Sequence, residues 1–271
     1  MSEYAATYLS LGAGVQSTAL LVLAATGRAP RPDWAIFADT GDEPVWVYEH
    51  LWRLAEWSEA RGIPVHVVTA GHLSAQLAAM QRGERRRFAT IPAWTARLDG
   101  TGAAPMRRQC TREYKIEPIE RHVRRLLGFR RAPKSLRVRA QIGISLDEAH
   151  RAAPSMTPWV IATHPLLDLG LRRSDCARIV TDAGFSPRKS SCVFCPFHGD
   201  RAWRELRDED PAGWAQALET DALIRDMTKK GMVQPVFLHR SLRPLAEVDL
   251  DAQVEMVGDG FGNDCSGHCG V

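Results

Sequence analysis

Two cysteines with the spacing of metal ligands, Cys192 and Cys195, lie in the stretch Cys-Val-Phe-Cys-Pro. Thiols two residues apart can point the same way and share a metal ion or an iron–sulfur cluster, provided that further thiols come from elsewhere in the chain. Cys110 is one candidate, and the pair Cys265 and Cys269 is another. From the spacing alone, a structural zinc site and two unrelated thiols both remain open as alternatives.

A glycine-rich turn near the beginning of the sequence is the second chemical signal. Residues 5–11 have the character of a short buried strand, Gly12-Ala13-Gly14 follows, and the apolar run 18–25 predicts a helix. In such a strand–turn–helix unit, backbone N–H groups and the helix N-terminus can face an anion, so the geometry favours phosphate. The turn is neither a Walker A loop nor a complete G-x-G-x-x-G motif, so its signal is weak when taken alone.

Acidic residues follow the next predicted strand. The apolar run 34–38 ends in Asp39-Thr40-Gly41-Asp42-Glu43. An open α/β sheet binds its ligands beyond the carboxyl ends of its strands. We therefore expect Asp39 to bind Mg²⁺ or to orient a nucleotide.

Strand and helix patterns alternate through the first part of the chain. We predict further strands over residues 64–69 and 136–144, and helices over residues 45–61, 73–81 and 116–127. This alternation predicts an α/β fold with a doubly wound parallel sheet. Residues 83–109 predict a long loop, of the kind that commonly binds ligands.

The pattern becomes helical after residue 165. We predict helices over residues 172–183, 201–206 and 212–229, with the cysteine loop between the first two. Two regions follow from this change, a nucleotide-binding α/β core over residues 1–164 and a helical, cysteine-bearing subdomain over residues 165–271. We expect the two regions to form one compact unit.

The composition is that of a soluble globular protein, with 45% hydrophobic and 25% charged residues among 271. No apolar run approaches the roughly 20 residues that span a bilayer, and the N-terminal residues lack the features of a signal peptide. We therefore expect a cytoplasmic protein without membrane partners. In that compartment, the six cysteines are expected to be reduced thiols, metal ligands or redox groups.

Basic residues are concentrated in two runs. The runs consist of Arg82, Arg85, Arg86 and Arg87, and of Arg121, Arg124, Arg125, Arg130, Arg131, Lys134, Arg137 and Arg139. They fit either a solvated helix face with its loop or a surface for an anionic partner, such as a polyphosphate or a nucleic acid.

Several motifs occur in the order found in a known superfamily. The segment Ser-Leu-Gly-Ala-Gly-Val-Gln-Ser at 10–17 resembles the PP-loop of ATP pyrophosphatases, whose usual form is Ser-Gly-Gly-x-Asp-Ser. Residues 39–41, 108–119 and 143–151, with the C-x-x-C pair, resemble the adenylylsulfate and phosphoadenylylsulfate (PAPS) reductase branch. The resemblance implies an adenine nucleotide α-hydrolase-like fold that binds ATP with Mg²⁺. The residues it assigns to the nucleotide are Ser10, Gly12, Gly14, Gln16, Ser17, Thr18, Asp39, Thr40 and Gly143.

The resemblance also implies an iron–sulfur cluster. Cluster-bearing adenylylsulfate reductases hold a 4Fe-4S cluster with a Cys-Cys pair, followed by Lys-x-Glu-Pro, and a later C-x-x-C. Aligning residues 115–118 with that motif puts Cys110 on the first cysteine and Thr111 on the second. Cys110, Cys192 and Cys195 would then be the ligands, leaving one iron open to a sulfide or a substrate atom. Iron–sulfur PP-loop enzymes that thiolate tRNA are similar in this respect, and the DndC and SspD types of DNA phosphorothioation also resemble this chain.

Two positions depart from the motifs, and the tail resembles them partly. Gln16 stands where a PP-loop usually has an acid, and Ser145 stands where the reductases carry an arginine. The sequence Asp-Cys-Ser-Gly-His-Cys at 264–269 resembles the Glu-Cys-Gly-x-His that supplies the reductases' nucleophilic thiol. Cys265 is therefore a candidate nucleophile or persulfide carrier. Alternatively, Cys265 or Cys269 supplies a fourth ligand.

Together these observations predict an ATP-dependent sulfur-transfer enzyme. ATP would be cleaved to AMP and pyrophosphate to activate a nucleic-acid acceptor, by DNA phosphorothioation or base thiolation, with sulfur from a cysteine desulfurase or another persulfide donor. Lys115 and Arg108 are expected to stabilise the charge on pyrophosphate. A homo-oligomer is compatible with the sequence. The alternatives are a reductase of adenylylsulfate or PAPS that releases sulfite, and a zinc-stabilised nucleotide or nucleic-acid binding module.

Overall fold

The computed structural model describes residues 4–84, 91–106, 109–186, 188–226 and 233–252. The strands in these ranges are β1 (Ala6–Leu11), β2 (Trp34–Asp39), β3 (Val65–Thr69), β4 (Trp94–Ala96), β5 (Ala103–Pro105), β6 (Val138–Ile142), β7 (Val160–Thr163) and β8 (Val236–Phe237). The α-helices are α1 (Val15–Ala25), α2 (Val45–Glu59), α3 (Leu73–Gln81), α4 (Glu117–Leu126), α5 (Pro165–Asp168), α6 (Arg173–Asp182), α7 (Asp200–Glu209) and α8 (Pro211–Ile224).

The central sheet has five parallel strands in the order β3-β2-β1-β6-β7. The chain runs outward from β1 to β3 and then returns to β6, on the other side of β1. The strand order therefore reverses between β1 and β6, and a crevice opens at the carboxyl ends of two such strands. The turn at residues 12–14 and Gly143 directly follow these two strands, which places both at the point of reversal.

Helices cover both faces of this sheet. On one face, α1, α2 and α6 pack on β1 through residues such as Leu20, Leu51 and Val180. On the other face, Ile119 and Val123 of α4 pack on β1 and β2. Helix α1 is buried at every position from Val15 to Ala24, as expected of a helix enclosed by a sheet and a second helix layer. The predicted parallel α/β sheet with flanking helices is confirmed.

The C-terminal layer has a hydrophobic cluster of its own. Helices α3, α7 and α8 contribute Leu77, Trp203 and Ala217, and Phe194 from the cysteine loop packs among them. Strand β8 joins β4 and β5 in a small antiparallel sheet with the order β5-β4-β8. Because β4 and β5 lie within residues 83–109, the prediction of an unbroken loop there was wrong. Strands of three residues are too short to show the alternation that predicts a strand.

A π-helical segment, Thr111–Ile116, precedes α4 and begins immediately after Cys110. The sequence predicted a helix only from residue 116. Hydrogen bonds in a π-helix join residues five apart, and such segments are rare and frequent at functional sites. Because Cys110 is the N-cap of this segment, the π-helical geometry sets the position of its side chain.

No helix among the described residues combines the length and apolar character that crossing a membrane requires.

Candidate functional site

The turn between β1 and α1 presents backbone amides at the carboxyl edge of the sheet. Gly12 N–H donates to Ser17 Oγ at 3.2 Å, and Ser17 Oγ donates to the Gly14 carbonyl at 3.3 Å. The intervening Ala13 has φ +54°, a left-handed conformation that closes the turn tightly. Because glycine occupies the N-cap of α1, no side chain there satisfies the first N–H groups. The turn therefore has the form of an anion site.

The cysteine loop that carries Cys192 and Cys195, called the thiol loop from here on, packs directly on this turn. A Cβ atom built on Gly14 would lie 2.7 Å from Ser190 Oγ. Ser190 is two residues before Cys192, so the same short segment that reaches the turn also carries the thiols. Both Ser190 and Ser191 are buried. The structure thus brings the predicted phosphate turn and the C-x-x-C loop into contact.

The loop after β2 ties the thiol loop to the C-terminal layer. Val193 N–H donates to the Asp42 carbonyl at 2.8 Å, and the Asp42 carboxylate accepts from Gln216 Nε2 of α8 at 2.6 Å. Asp210 caps α8 through Gly213 N–H and also accepts from Val45 N–H at 3.1 Å. These bonds join the sheet edge to the helices that support the thiols.

Gly143 packs against the beginning of α1 so closely that a side chain would collide with backbone atoms. A Cβ there would lie 2.8 Å from Ser17 N and 3.0 Å from Gln16 C. We expect Gly143→Ala to lower the free energy of unfolding by about 1–3 kcal/mol, because overpacked backbone cannot move aside as the end of a side chain can. Chemical denaturation at equilibrium measures this difference.

The matched control is Gly199→Ala, since a Cβ at Gly199 meets no atom within 4 Å. Alanine is a weaker N-cap than glycine, but it also reduces the entropy of the unfolded chain by about 0.4–1 kcal/mol, so Gly199→Ala should lower the free energy of unfolding by less than about 1 kcal/mol. Equal losses in the two variants would show that the contact between Gly143 and α1 is not tight.

A buried carboxylate, Glu43, connects the residues at the end of β2. Its Oε1 accepts from Thr40 Oγ1 at 3.2 Å and lies 3.5 Å from Lys115 Nζ. The side chain of Glu43 is 1% exposed and that of Lys115 is 13% exposed. Because this ion pair is largely removed from water, it fixes the Lys115 ammonium beside the carboxyl end of β2.

Asp39 is held by two donors. Its Oδ1 accepts from Gly41 N–H and from the Tyr48 hydroxyl, each at 2.8 Å. Burial, followed by the hydrogen bond to Asp39, raises the pKa of Tyr48, so the hydroxyl stays protonated and keeps donating. The carboxylate is thereby oriented at the strand end, where a nucleotide-bound Mg²⁺ would need it.

Cys110, Cys192 and Cys195 are neighbours. The hydrogen bond between the Cys192 and Cys195 side chains raises the pKa of Cys192, and burial and the negative charges of Cys195, Glu43 and Cys110 raise it further. Cys110 and Cys192 also pack against the same hydrophobic cluster as Tyr114. A thiol with a raised pKa, as at Cys192, stays protonated at neutral pH unless a positive charge stabilises the thiolate, and a bound metal centre would supply such a charge.

Across the described ranges, however, no group of three or more His, Cys, Asp or Glu side chains forms an arrangement that could hold a metal ion. In residue type, and in the proximity of Cys192 to Cys195 and Cys110, the three thiols nevertheless fit a thiolate-bound group.

Gln16 is part of a buried polar network. Its Nε2 donates to Glu148 Oε2 at 3.1 Å, and its Oε1 accepts from Arg173 Nη1 at 3.0 Å. Arg151 pairs with Glu148 at 2.8 Å. The neutral amide thus fits between a carboxylate and a guanidinium, a position where an acid would face Glu148. This network links the first turn of α1 to the first turn of α6.

A cavity of about 630 Å³ adjoins the turn and the thiol loop. Its wall includes Val15, the first residue of α1, and Ser191. A second cavity of about 440 Å³ reaches Ala13 of the turn. The side chains shared by both cavities are Trp46, Arg188 and Lys189.

His198 lines the larger cavity as a neutral group. Its Nε2 lies 2.6 Å from Ser191 Oγ, and its Nδ1 has no hydrogen-bond partner. Burial, followed by the charge of Lys189, lowers the pKa of His198 to about 3. The ring is therefore uncharged at neutral pH.

No protein-family model and no curated protein sequence matches this chain.

Most predicted nucleotide residues lie around the point where the strand order reverses. Those at the end of β1, in the turn and in the first turn of α1 are Ser10, Gly12, Gly14, Gln16, Ser17 and Thr18; Asp39 is the last residue of β2, Thr40 follows it, and Gly143 follows β6. Thr18 Oγ1 lies 2.9 Å from His50 Nε2, so its hydroxyl faces α2. Arg108, Cys265 and Cys269 lie outside the described residues, and their predicted roles stay predictions.

Sequence reasoning missed several residues of the site. Glu43, Ser190 and Ser191 join the turn, Lys115 and the thiols, whereas Glu148 and Arg173 bind Gln16. In the sequence, Glu43 is only one of the acidic residues in the stretch 39–43, and nothing there marks it as part of the site. The serines directly precede Cys192, and that proximity was the only signal that the sequence contained.

Proposed function

We propose that the chain is a PP-loop ATP pyrophosphatase with an adenine nucleotide α-hydrolase-like fold, and that it transfers sulfur to a nucleic-acid acceptor. The observation that carries this proposal is the contact between Gly14 and Ser190, with 2.7 Å between a built Cβ and Oγ. It brings a phosphate-type turn and paired thiols together. Nucleotide activation followed by sulfur transfer needs these two kinds of group side by side.

In the activation step, an acceptor oxygen attacks the α-phosphorus of ATP. The new phosphorus–oxygen bond replaces the bond to the bridging oxygen, and pyrophosphate leaves with the electron pair. The amides of the turn at residues 12–14 and the N-terminus of α1 bind the leaving phosphates. Asp39 binds Mg²⁺, and Lys115 compensates the charge that develops on pyrophosphate, as Arg108 would.

In the transfer step, a sulfide nucleophile attacks the activated atom of the acceptor, and AMP leaves with the electrons of the broken bond. Inorganic sulfide needs no redox partner, whereas a persulfide from a cysteine desulfurase also needs a two-electron thiol reductant. Cys110, Cys192 and Cys195 would hold a 4Fe-4S cluster, which would supply an iron able to bind sulfide. Cys265 is the proposed persulfide carrier.

The test is an assay of pyrophosphate release under anaerobic conditions with ATP, Mg²⁺, labelled sulfide and either DNA or tRNA. We expect release that depends on the acceptor, together with label in the nucleic acid. Sulfite formed from adenylylsulfate or PAPS with thioredoxin would instead identify a reductase. Binding of nucleotide and zinc without any turnover would identify a binding module. Either of these results overturns the proposal.

A further inference from the structure

Three helices begin at the wall of the 630 Å³ cavity. Val15 is the first residue of α1, Arg173 is the first residue of α6, and Gly199 is the N-cap of α7. The N-terminus of a helix carries the positive end of its dipole. In α1 and α7 the N-cap is a glycine, so no side chain there binds the first N–H groups. Two helix N-termini without a side-chain cap, those of α1 and α7, therefore lie at one wall, together with the first residue of α6, whose N–H donates to Asp147 Oδ2.

Most charged side chains of the cavity wall are cationic. Four are cationic, and one, Glu205, is acidic; the cations are Arg173, Arg188, Lys189 and Arg201. The partners of Arg188 and Arg201 are the surface acids Glu209 and Glu205, at 2.9 Å each. Ion pairs at the surface contribute little to stability, so an anionic ligand can compete with the two acids for both guanidinium groups.

The wall also contains a buried ring nitrogen without a hydrogen-bond partner. His198 is 8% exposed and lines the cavity, and its Nδ1 forms no hydrogen bond. If Ser191 donates to Nε2, the neutral ring carries its proton on Nδ1 and can donate it to a ligand oxygen. An unsatisfied buried polar group is costly, and a bound phosphate oxygen would satisfy this one.

We propose that this cavity binds phosphodiester groups of a single-stranded nucleic-acid segment, as a second phosphate site beside the turn at residues 12–14. The inference rests on the proposed function, in which nucleic acid is the acceptor. The volume is that of a small-ligand pocket, which admits a short strand and excludes a duplex. The Arg188 guanidinium carbon lies 4.5 Å from the centroid of the Trp46 ring, and this cation–π contact holds the cation at the cavity wall.

The test is fluorescence anisotropy of a labelled single-stranded oligonucleotide, without ATP, over a range of salt concentrations. The variant is Arg188→Glu/Arg201→Glu, because both cations line the cavity and their side chains are 34% and 74% exposed, so the chain should still fold. We expect the dissociation constant to rise at least about tenfold, and the slope of log K against log salt to fall by roughly 1–2. Far-UV circular dichroism checks that the variant is folded.

The matched control is Arg178→Glu, on the same helix as Arg173 but 72% exposed and absent from the cavity wall. It should change the dissociation constant by less than about threefold. Equal weakening in the control, or an unchanged salt slope in the double variant, would overturn the cavity as the binding site. Displacement of the oligonucleotide by pyrophosphate at equal phosphate concentration would overturn it too, in favour of a small polyphosphate.

The binding test distinguishes a failure of the cavity site from a failure of the proposed function. Oligonucleotide binding that depends on the cavity, with no pyrophosphate release by the wild-type protein, leaves the site standing and refutes the sulfur-transfer enzyme. If pyrophosphate release depends on the acceptor but the double variant binds the oligonucleotide as well as the wild-type protein does, the cavity site is refuted and the sulfur-transfer enzyme stands.

Discussion

Cys192→Ala protein purified without oxygen is expected to contain less than about one tenth of the iron and acid-labile sulfide of the wild-type protein. Cys192 is hydrogen-bonded to Cys195 and also interacts with Cys110, so the variant removes one of the three proposed ligands from this group. We expect label transfer from sulfide to the acceptor to fall in parallel. Metal and sulfide analysis, with the visible absorption spectrum, measures the loss independently of any activity.

Cys176→Ala is the matched control. Cys176 is a fully buried thiol of α6 that belongs to the hydrophobic core against β1, and burial raises its pKa to about 12. Its replacement should lower stability modestly and leave iron, sulfide and transfer unchanged. Wild-type protein that contains one zinc and no sulfide would contradict the cluster, as would a Cys192→Ala protein with full iron content.

Lys115→Met is expected to lower both stability and turnover. The ammonium lies 3.5 Å from Glu43 Oε1, and the Glu43 side chain is 1% exposed, so the variant leaves a buried carboxylate without this cation. Breaking such a pair from one side costs about 3 kcal/mol or more. Pyrophosphate release should fall about 100-fold or more, because a group that stabilises developing charge is lost.

A second substitution separates these two effects. In Lys115→Met/Glu43→Gln the uncompensated carboxylate is gone, and we expect chemical denaturation to show that most of the lost stability is recovered. Pyrophosphate release should stay low. If the double variant recovers both quantities, Lys115 acts only through the packing of Glu43 and has no part in catalysis.

Much of the sheet could be predicted because its strands carry a strong local signal. Strands β1, β2, β3 and β6 are apolar runs followed by glycine or acidic residues, and each was predicted within about two residues of its observed bounds. Strands β7 and β8 were not predicted. They are four and two residues long, and their pairing with β6 and β4 is a tertiary property.

The site was predictable to the extent that its residues belong to sequence motifs. Asp39 and the turn at residues 12–14 are found at strand ends, as strand prediction requires. The links between Glu43 and Lys115 and between Gln16 and Glu148 join residues 72 and 132 positions apart. Side-chain pairing at such separations leaves no periodic trace in one sequence. For the same reason the cavity could not be anticipated, since its wall combines the ends of three helices.

The six-residue π-helical segment after Cys110 has a consequence for related chains. A π-turn accommodates one extra residue within an otherwise α-helical path. Deleting a single residue between Thr111 and Ile116 would allow α-helical bonding to extend back from α4. The side chain at position 110 would then rotate about the helix axis by roughly 100°, away from the Cys192 side. A change in length alone would thus switch this thiol out of the site, without any substitution of the cysteine itself.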